Sequence, residues 1–202
     1  MTERRKRPLI LSSTLILATA VILSACNGAV SDLNPFSTAK KVVVPPCPVV
    51  RLLKDADKIT QHRAGPGKDI TDIVYEGDLT GFRGNCEYLG EPGKYTSVVL
   101  TLRIAMDVTR GPANRSGKAQ LSYFVAIPEF YPAPSAKTSF TRTLAFQRNR
   151  NSLSFVDDEV VLRIPLSAAR PGPKSAVVIG FSLTPEQLEF NRRRGRATSL
   201  GG

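Results

Sequence analysis

Tryptophan is absent from this sequence, and histidine occurs once. A single histidine excludes a multi-histidine zinc site. It also makes His62 the only base for a Ser/His/Asp or Cys/His catalytic set. His62 sits in Gln61-His62-Arg63-Ala64-Gly65-Pro66-Gly67, a loop composition, and is expected as an exposed loop residue. Nucleophile-elbow and C-x-x-C sequences are both missing. Acidic residues are few, with 17 Asp and Glu against 28 Lys and Arg, a formal charge of +11. Long apolar runs are lacking as well. The longest stretch of apolar and small residues, Leu9 to Leu23, covers 15 residues, short of the ~20 that cross a bilayer core.

What is present begins at the amino terminus. Arg4, Arg5, Lys6 and Arg7 precede the apolar stretch, and Leu23-Ser24-Ala25-Cys26 follows it. This is the layout of an export signal: a basic region, an apolar region and small residues before a cleavage point. Leu23-Ser24-Ala25-Cys26 resembles the lipobox of bacterial lipoproteins. The resemblance implies a signal peptide over residues 1–25, cleavage before Cys26 and diacylglyceryl lipid on the Cys26 thiol. Acyl chains at ~0.8 kcal/mol per buried methylene hold such a protein at a membrane. The competing reading is an ordinary signal cut near Ala25, with an incidental cysteine. In lipoprotein families an Asp after the lipidated cysteine retains the protein in the inner membrane. Asn27 stands there, so the expected address is the periplasmic face of the outer membrane.

With Cys26 assigned to lipid, Cys47 and Cys86 remain as an even pair in an oxidising compartment. They are expected to form a disulfide; a reactive thiol or a metal pair is the alternative. Residues 26–46 are rich in Asn, Ser, Gly, Ala and Pro and read as a flexible tether. Of the +11 charge, +8 lies from Cys26 onward. Such a basic domain fits an anionic envelope polymer or an envelope protein as partner. Export argues against nucleic acid.

Apolar residues make up 42% of the chain, enough for a packed core. They recur with period two. Val98, Leu100, Leu102, Ile104, Met106 and Val108 alternate with mostly polar or small residues, the mark of a half-buried strand. Ile73 to Leu79, Leu121 to Ile127, Phe140 to Phe146, Val160 to Leu166 and Val177 to Leu183 repeat the pattern. Arg142 interrupts the apolar face of its segment. Shorter strands are expected around Cys47–Leu53 and Asn85–Leu89. Turns are expected at Gly81-Phe82-Arg83-Gly84, Gly111-Pro112-Ala113-Asn114, Pro132-Ala133-Pro134 and Pro171-Gly172-Pro173. About eight strands predict an all-β, antiparallel β-sandwich over residues 47–190, immunoglobulin- or fibronectin-like in topology, with a small barrel as alternative.

One short C-terminal helix is predicted. Thr184-Pro185-Glu186-Gln187 supplies an N-cap, Pro at the first helical position and Gln three residues after the cap. Arg192, Arg193 and Arg194 fall in its last turn, with Gly195 as the stop and residues 191–202 as a basic tail. Two surface features are candidate partner sites: Phe130 and Tyr131 in an aromatic and proline loop, and the arginines 192–194. Asp157-Asp158-Glu159 is read as a solvated acidic turn. Gly65-Pro66-Gly67-Lys68-Asp69 lacks the spacing of a phosphate loop and is read as a turn.

Cys47-Pro48 through Asp55-Ala56-Asp57, Gly65-Pro66-Gly67-Lys68-Asp69 and Gly84-Asn85-Cys86 together resemble a group of uncharacterised proteobacterial envelope lipoproteins. That resemblance implies no catalytic residue and no ligand. The expectation is a lipid-anchored, non-enzymatic binding or assembly protein without metal or cofactor. An envelope enzyme or solute-binding lipoprotein acting on wall or sugar substrates is the rival.

Overall fold

The computed structural model describes residues 44–167 and 176–199. The expected signal peptide, Cys26, the tether as far as residue 43, the Pro171-Gly172-Pro173 turn and residues 200–202 lie outside the described residues. In chain order the strands are β1 Val50–Leu52, β2 Lys58–His62, β3 Ile73–Glu91, β4 Lys94–Arg110, β5 Lys118–Ala126, β6 Lys137–Ala145, β7 Ser152–Val156, β8 Val160–Pro165 and β9 Val177–Phe181. Helix α1 follows, Pro185–Ser199.

The strands form two sheets. The first has the order β1-β9-β5-β6; the second runs β2-β3-β4, with β7 and β8 both paired to the far edge of β4. All pairings are antiparallel except β1 with β9, which is parallel. That pair departs from the all-antiparallel expectation: β1 and β9 are remote in sequence, so no hairpin constrains their direction.

Strand β4 carries the core. Val98, Leu100, Leu102, Ile104, Met106 and Val108 are buried, and their partners come from both sheets: Ile59, Tyr75 and Leu79 on one side, Leu121, Tyr123, Val125, Ile179 and Phe181 on the other. Each such side chain removed from water stabilises the fold by about 1.5–3 kcal/mol. Gly77 on β3 marks how closely the layers approach, because a Cβ there would meet Leu121 and Phe181 of the first sheet.

Three expectations are corrected. Gly81–Gly84 is not a turn but lies inside the 19-residue β3, which absorbs the expected strand at Asn85–Leu89. A bulge between Leu79 and Gly81 takes up the register shift, and β3 turns at Pro92-Gly93 into β4 instead. The strand expected over Cys47–Leu53 shortens to β1. Helix α1 does not stop at Gly195 but continues to Ser199, through most of the expected tail. Its N-terminus follows expectation: Gln187 N–H donates to Thr184 Oγ1 (3.2 Å), and the Gln187 side chain accepts from Thr184 N–H (2.9 Å). Asn191 docks the helix by donating to the carbonyls of Asp55 and Lys58, both at 2.8 Å.

Candidate functional site: a basic end opposite the disulfide

Cys47 and Cys86 form a disulfide, with Cα atoms 5.7 Å apart. Cys86 pairs with Leu100 on β4, and nearby the Tyr88 hydroxyl donates to the Pro46 carbonyl (2.7 Å). The N-terminal segment therefore joins the domain beside Leu100. The Phe130–Tyr131 loop follows β5, whose last residue Ala126 pairs with Val178 of β9, alongside β1. Phe130 packs against the core, whereas Tyr131 is 82% exposed. Val44 (59% exposed), Val49 (46%) and Phe82 (37%) add apolar surface along this disulfide end.

The other end of β4 has a different character. From residue 108 to residue 156 the sequence has seven cations and one acid, Glu129. The fold gathers five of those cations. Arg110 N–H donates to the Asn151 carbonyl (2.6 Å), and Phe146 N–H donates to the Gly117 carbonyl (2.8 Å). These bonds set the 111–117 and 146–151 loops side by side, bringing Arg110, Arg115, Lys118, Arg148 and Arg150 to one end. Buried Asn114 shapes the first loop. Its Oδ1 accepts from Gly117 N–H (2.8 Å), and its Nδ2 donates to the Lys118 carbonyl (2.9 Å). Gly117 has φ of +67°, a left-handed conformation that favours glycine. The Arg110 guanidinium is held on the Asn114 carbonyl (2.7 Å). Among the described residues, no ion pair engages Arg115, Lys118, Arg148 or Arg150. Sequence reading missed this cluster, although the scarcity of acids between Asp107 and Asp157 signals it.

The expected arginine site on α1 is engaged within the chain. Arg194 pairs with Glu76 (2.9 Å), Arg193 with Glu189 (3.8 Å) and Arg192 with Asp55 (3.9 Å). A cleft of about 360 Å³ lies between α1 and strands β2 and β3, lined among others by Lys54, Asp57, Lys58, Glu76 and Asp78. Lys58 pairs with Asp78 across it. His62 is not a loop residue. It ends β2 and packs edge-on against Phe190 of α1 (5.3 Å), with Nε2 buried and unpartnered. The helix covers this edge strand and so takes His62 out of the loop. Gly65–Asp69 leads into a 3-10 turn, Ile70–Asp72, capped by Asp69. Hydrogen bonds from the Thr71 hydroxyl and N–H hold the Asp69 carboxyl below its usual range.

Asp157 is a further correction. The break between β7 and β8 aims it inward, where it is 1% exposed. It accepts from the Tyr123 hydroxyl (2.5 Å), Arg142 Nε (2.7 Å) and Asp158 N–H (2.8 Å). Burial pushes its carboxyl up, but the hydrogen bonds from Tyr123 and Arg142 outweigh this and hold it below the usual value. Burial, followed by the hydrogen bond to Asp157, holds the Tyr123 hydroxyl protonated far above the ordinary tyrosine range. This triad explains why Arg142 interrupts the apolar face of β6. With its carboxylate saturated by Arg142 and Tyr123, Asp157 is a cross-sheet clamp. Comparison of the chain with protein-family models, curated proteins and solved structures finds no match.

Proposed function

We propose that this chain is a lipid-anchored protein of the bacterial cell envelope, whose β-sandwich domain binds another envelope component without catalysing a reaction. The observation that carries the reading is the division of charged groups. Asp157, Asp72, Glu76 and Asp78 are all paired within the domain, while a preformed basic end has cations left over. Groups consumed by internal pairing suit structure; unpaired guanidinium groups on rigid loops suit recognition. The Cys47–Cys86 disulfide supports the envelope setting and leaves Cys26 of the three cysteines for lipid.

The shared core supports a two-layer sandwich. Its strand order is its own: β2, β3 and β4 lie consecutively in one sheet, whereas the immunoglobulin order divides its second and third strands between sheets. One feature favours the solute-binding alternative, the cleft beside α1, where Lys54 and Asp57 offer one charge of each sign to a small zwitterion.

Anchoring is tested by labelling growing cells with a palmitate analogue and fractionating their membranes. Label on the wild-type chain in the outer membrane, absent from Cys26→Ser, is the expected result. An unlabelled wild-type chain released with the soluble periplasmic fraction would overturn the proposal. Binding is tested by affinity capture from crosslinked cells against an anchored control lacking the domain.

A further inference from the structure

We infer that the basic end formed by the 111–117 and 146–151 loops binds a carboxylate-bearing polymer of glycan and peptide in the cell wall, reaching it from the membrane that holds the N-terminal lipid. The inference deepens the proposed function and takes its setting from it.

Three observations carry it. The first is the chemistry of the surface. Arg115, Lys118, Arg148 and Arg150 are exposed, and Gln147, Asn149, Asn151 and Ser116 stand between and beside them. Arginine forks pair with carboxylates, and side-chain amides both donate to and accept from sugar hydroxyls and peptide groups. Of the large apolar side chains exposed among the described residues, Val44, Val49, Leu53, Phe82 and Tyr131 lie on segments away from this end, and Ile70 alone lies on the neighbouring 3-10 turn. A surface meant to enter lipid head groups would place such residues among its cations.

The second is preorganisation. Buried Asn114, the left-handed Gly117 and the two inter-loop hydrogen bonds fix the loops before any ligand arrives. Holding like charges together costs stability unless a counter-charge relieves it. Asp69 and Asp72, on the neighbouring 3-10 turn, do not supply one. Asp72 is buried against Arg63, and Asp69 is bonded to Thr71.

The third is direction. Cys86, which is bonded to Cys47, pairs with Leu100 inside β4, while Arg110 is the last residue of the same strand. Ten residues of strand span roughly 33 Å. The described chain is tied to the domain at Cys47, and the unpaired cations lie at the end of β4 remote from that tie.

The test is co-sedimentation of the full chain, purified in mild detergent, with isolated peptidoglycan sacculi at near-physiological salt. Two variants are compared with wild type: Arg115→Gln/Arg148→Gln/Arg150→Gln at the basic end, and Arg51→Gln/Arg83→Gln/Arg163→Gln elsewhere, which removes the same charge. The first should weaken binding about tenfold or more and the second by much less. Amidating the wall carboxylates should abolish the difference between wild type and the first variant. Equal weakening by both variants would reduce the effect to bulk charge and overturn the inference. So would wild-type binding that survives amidation, or anionic phospholipid added to the detergent displacing the chain from sacculi, which would assign the site to head groups. Unchanged urea midpoints confirm that the variants fold. Binding in detergent does not depend on the anchor, so failed palmitate labelling and failed sacculus binding are separate outcomes.

Discussion

The Tyr123 hydroxyl donates to the Asp157 carboxylate at 2.5 Å, joining β5 of the first sheet to the β7–β8 break of the second. Arg142 of β6 closes the same carboxylate from its other oxygen at 2.7 Å. Three residues distant in sequence thus meet inside the interior, and each needs the others. An unpaired carboxylate there would carry its full desolvation cost.

Replacing Asp157 with Ala should therefore destabilise the domain by about 2–3 kcal/mol. The loss falls below that of a fully buried pair because Arg142 keeps 34% of its side chain in water. Tyr123→Phe should cost about 1–2 kcal/mol, since it removes one charge-assisted hydrogen bond and keeps the ring. Urea unfolding of the oxidised chain measures both. An Asp157→Ala midpoint equal to wild type would show that the triad does not clamp the sheets.

Acid should act through the same carboxylate. Its folded pKa lies below the ordinary 3.8, so its contribution is present above about pH 4 and fades as pH falls through the folded value. Asp157→Asn, which cannot ionise, should flatten that part of the stability curve. At the other extreme, the raised Tyr123 pKa makes its contribution full below pH 10 and lost as pH climbs beyond. Parallel acid curves for wild type and Asp157→Asn would contradict this assignment.

Reducing the Cys47–Cys86 disulfide reopens a loop between residues 39 apart. Its closure contributes about 4 kcal/mol through loop entropy. For a domain of this size the melting temperature should fall by roughly 8–16 °C. A Cys47→Ser/Cys86→Ser chain should melt with the reduced protein, and reductant should not lower it further.

Gly81 and Gly84 should respond differently to the same change. A Cβ on Gly84 would overlap the Thr101 carbonyl oxygen on β4, whereas one on Gly81 meets nothing within 4 Å. Gly84→Ala should therefore destabilise by about 1–3 kcal/mol, while Gly81→Ala stays near neutral. Thermal melts of the two variants side by side decide this, and equal shifts would count against a continuous β3.

Thr184→Ala should cost about 1 kcal/mol by removing the N-cap acceptor of α1. Helical circular dichroism at 222 nm, followed through the melt, reads that loss directly; an unaltered melt would mean that the cap contributes nothing.

Period-two alternation around β4, β5, β8 and β9 appears in the order of residues, because side-chain direction along a strand is a local consequence of backbone geometry. The α1 cap was equally legible, since its donors and acceptors lie three residues apart. Gly81–Gly84 misled, because glycines that open a turn also permit a bulge and a close strand approach. His62 and two arginines of α1 misled for another reason: Phe190 of α1 packs on His62, Arg194 reaches Glu76 of β3 and Arg192 reaches Asp55, all far away in the chain.

Strand alternation, the helix start and the charge excess were thus set by local sequence. The parallel β1–β9 pair, the contact of the inward Asp157 with Tyr123 and the convergence of Arg115 with Arg148 and Arg150 arise between segments more than 30 residues apart. Such contacts depend on which arrangement buries the most apolar surface while pairing every buried charge, and no short window of sequence records that balance.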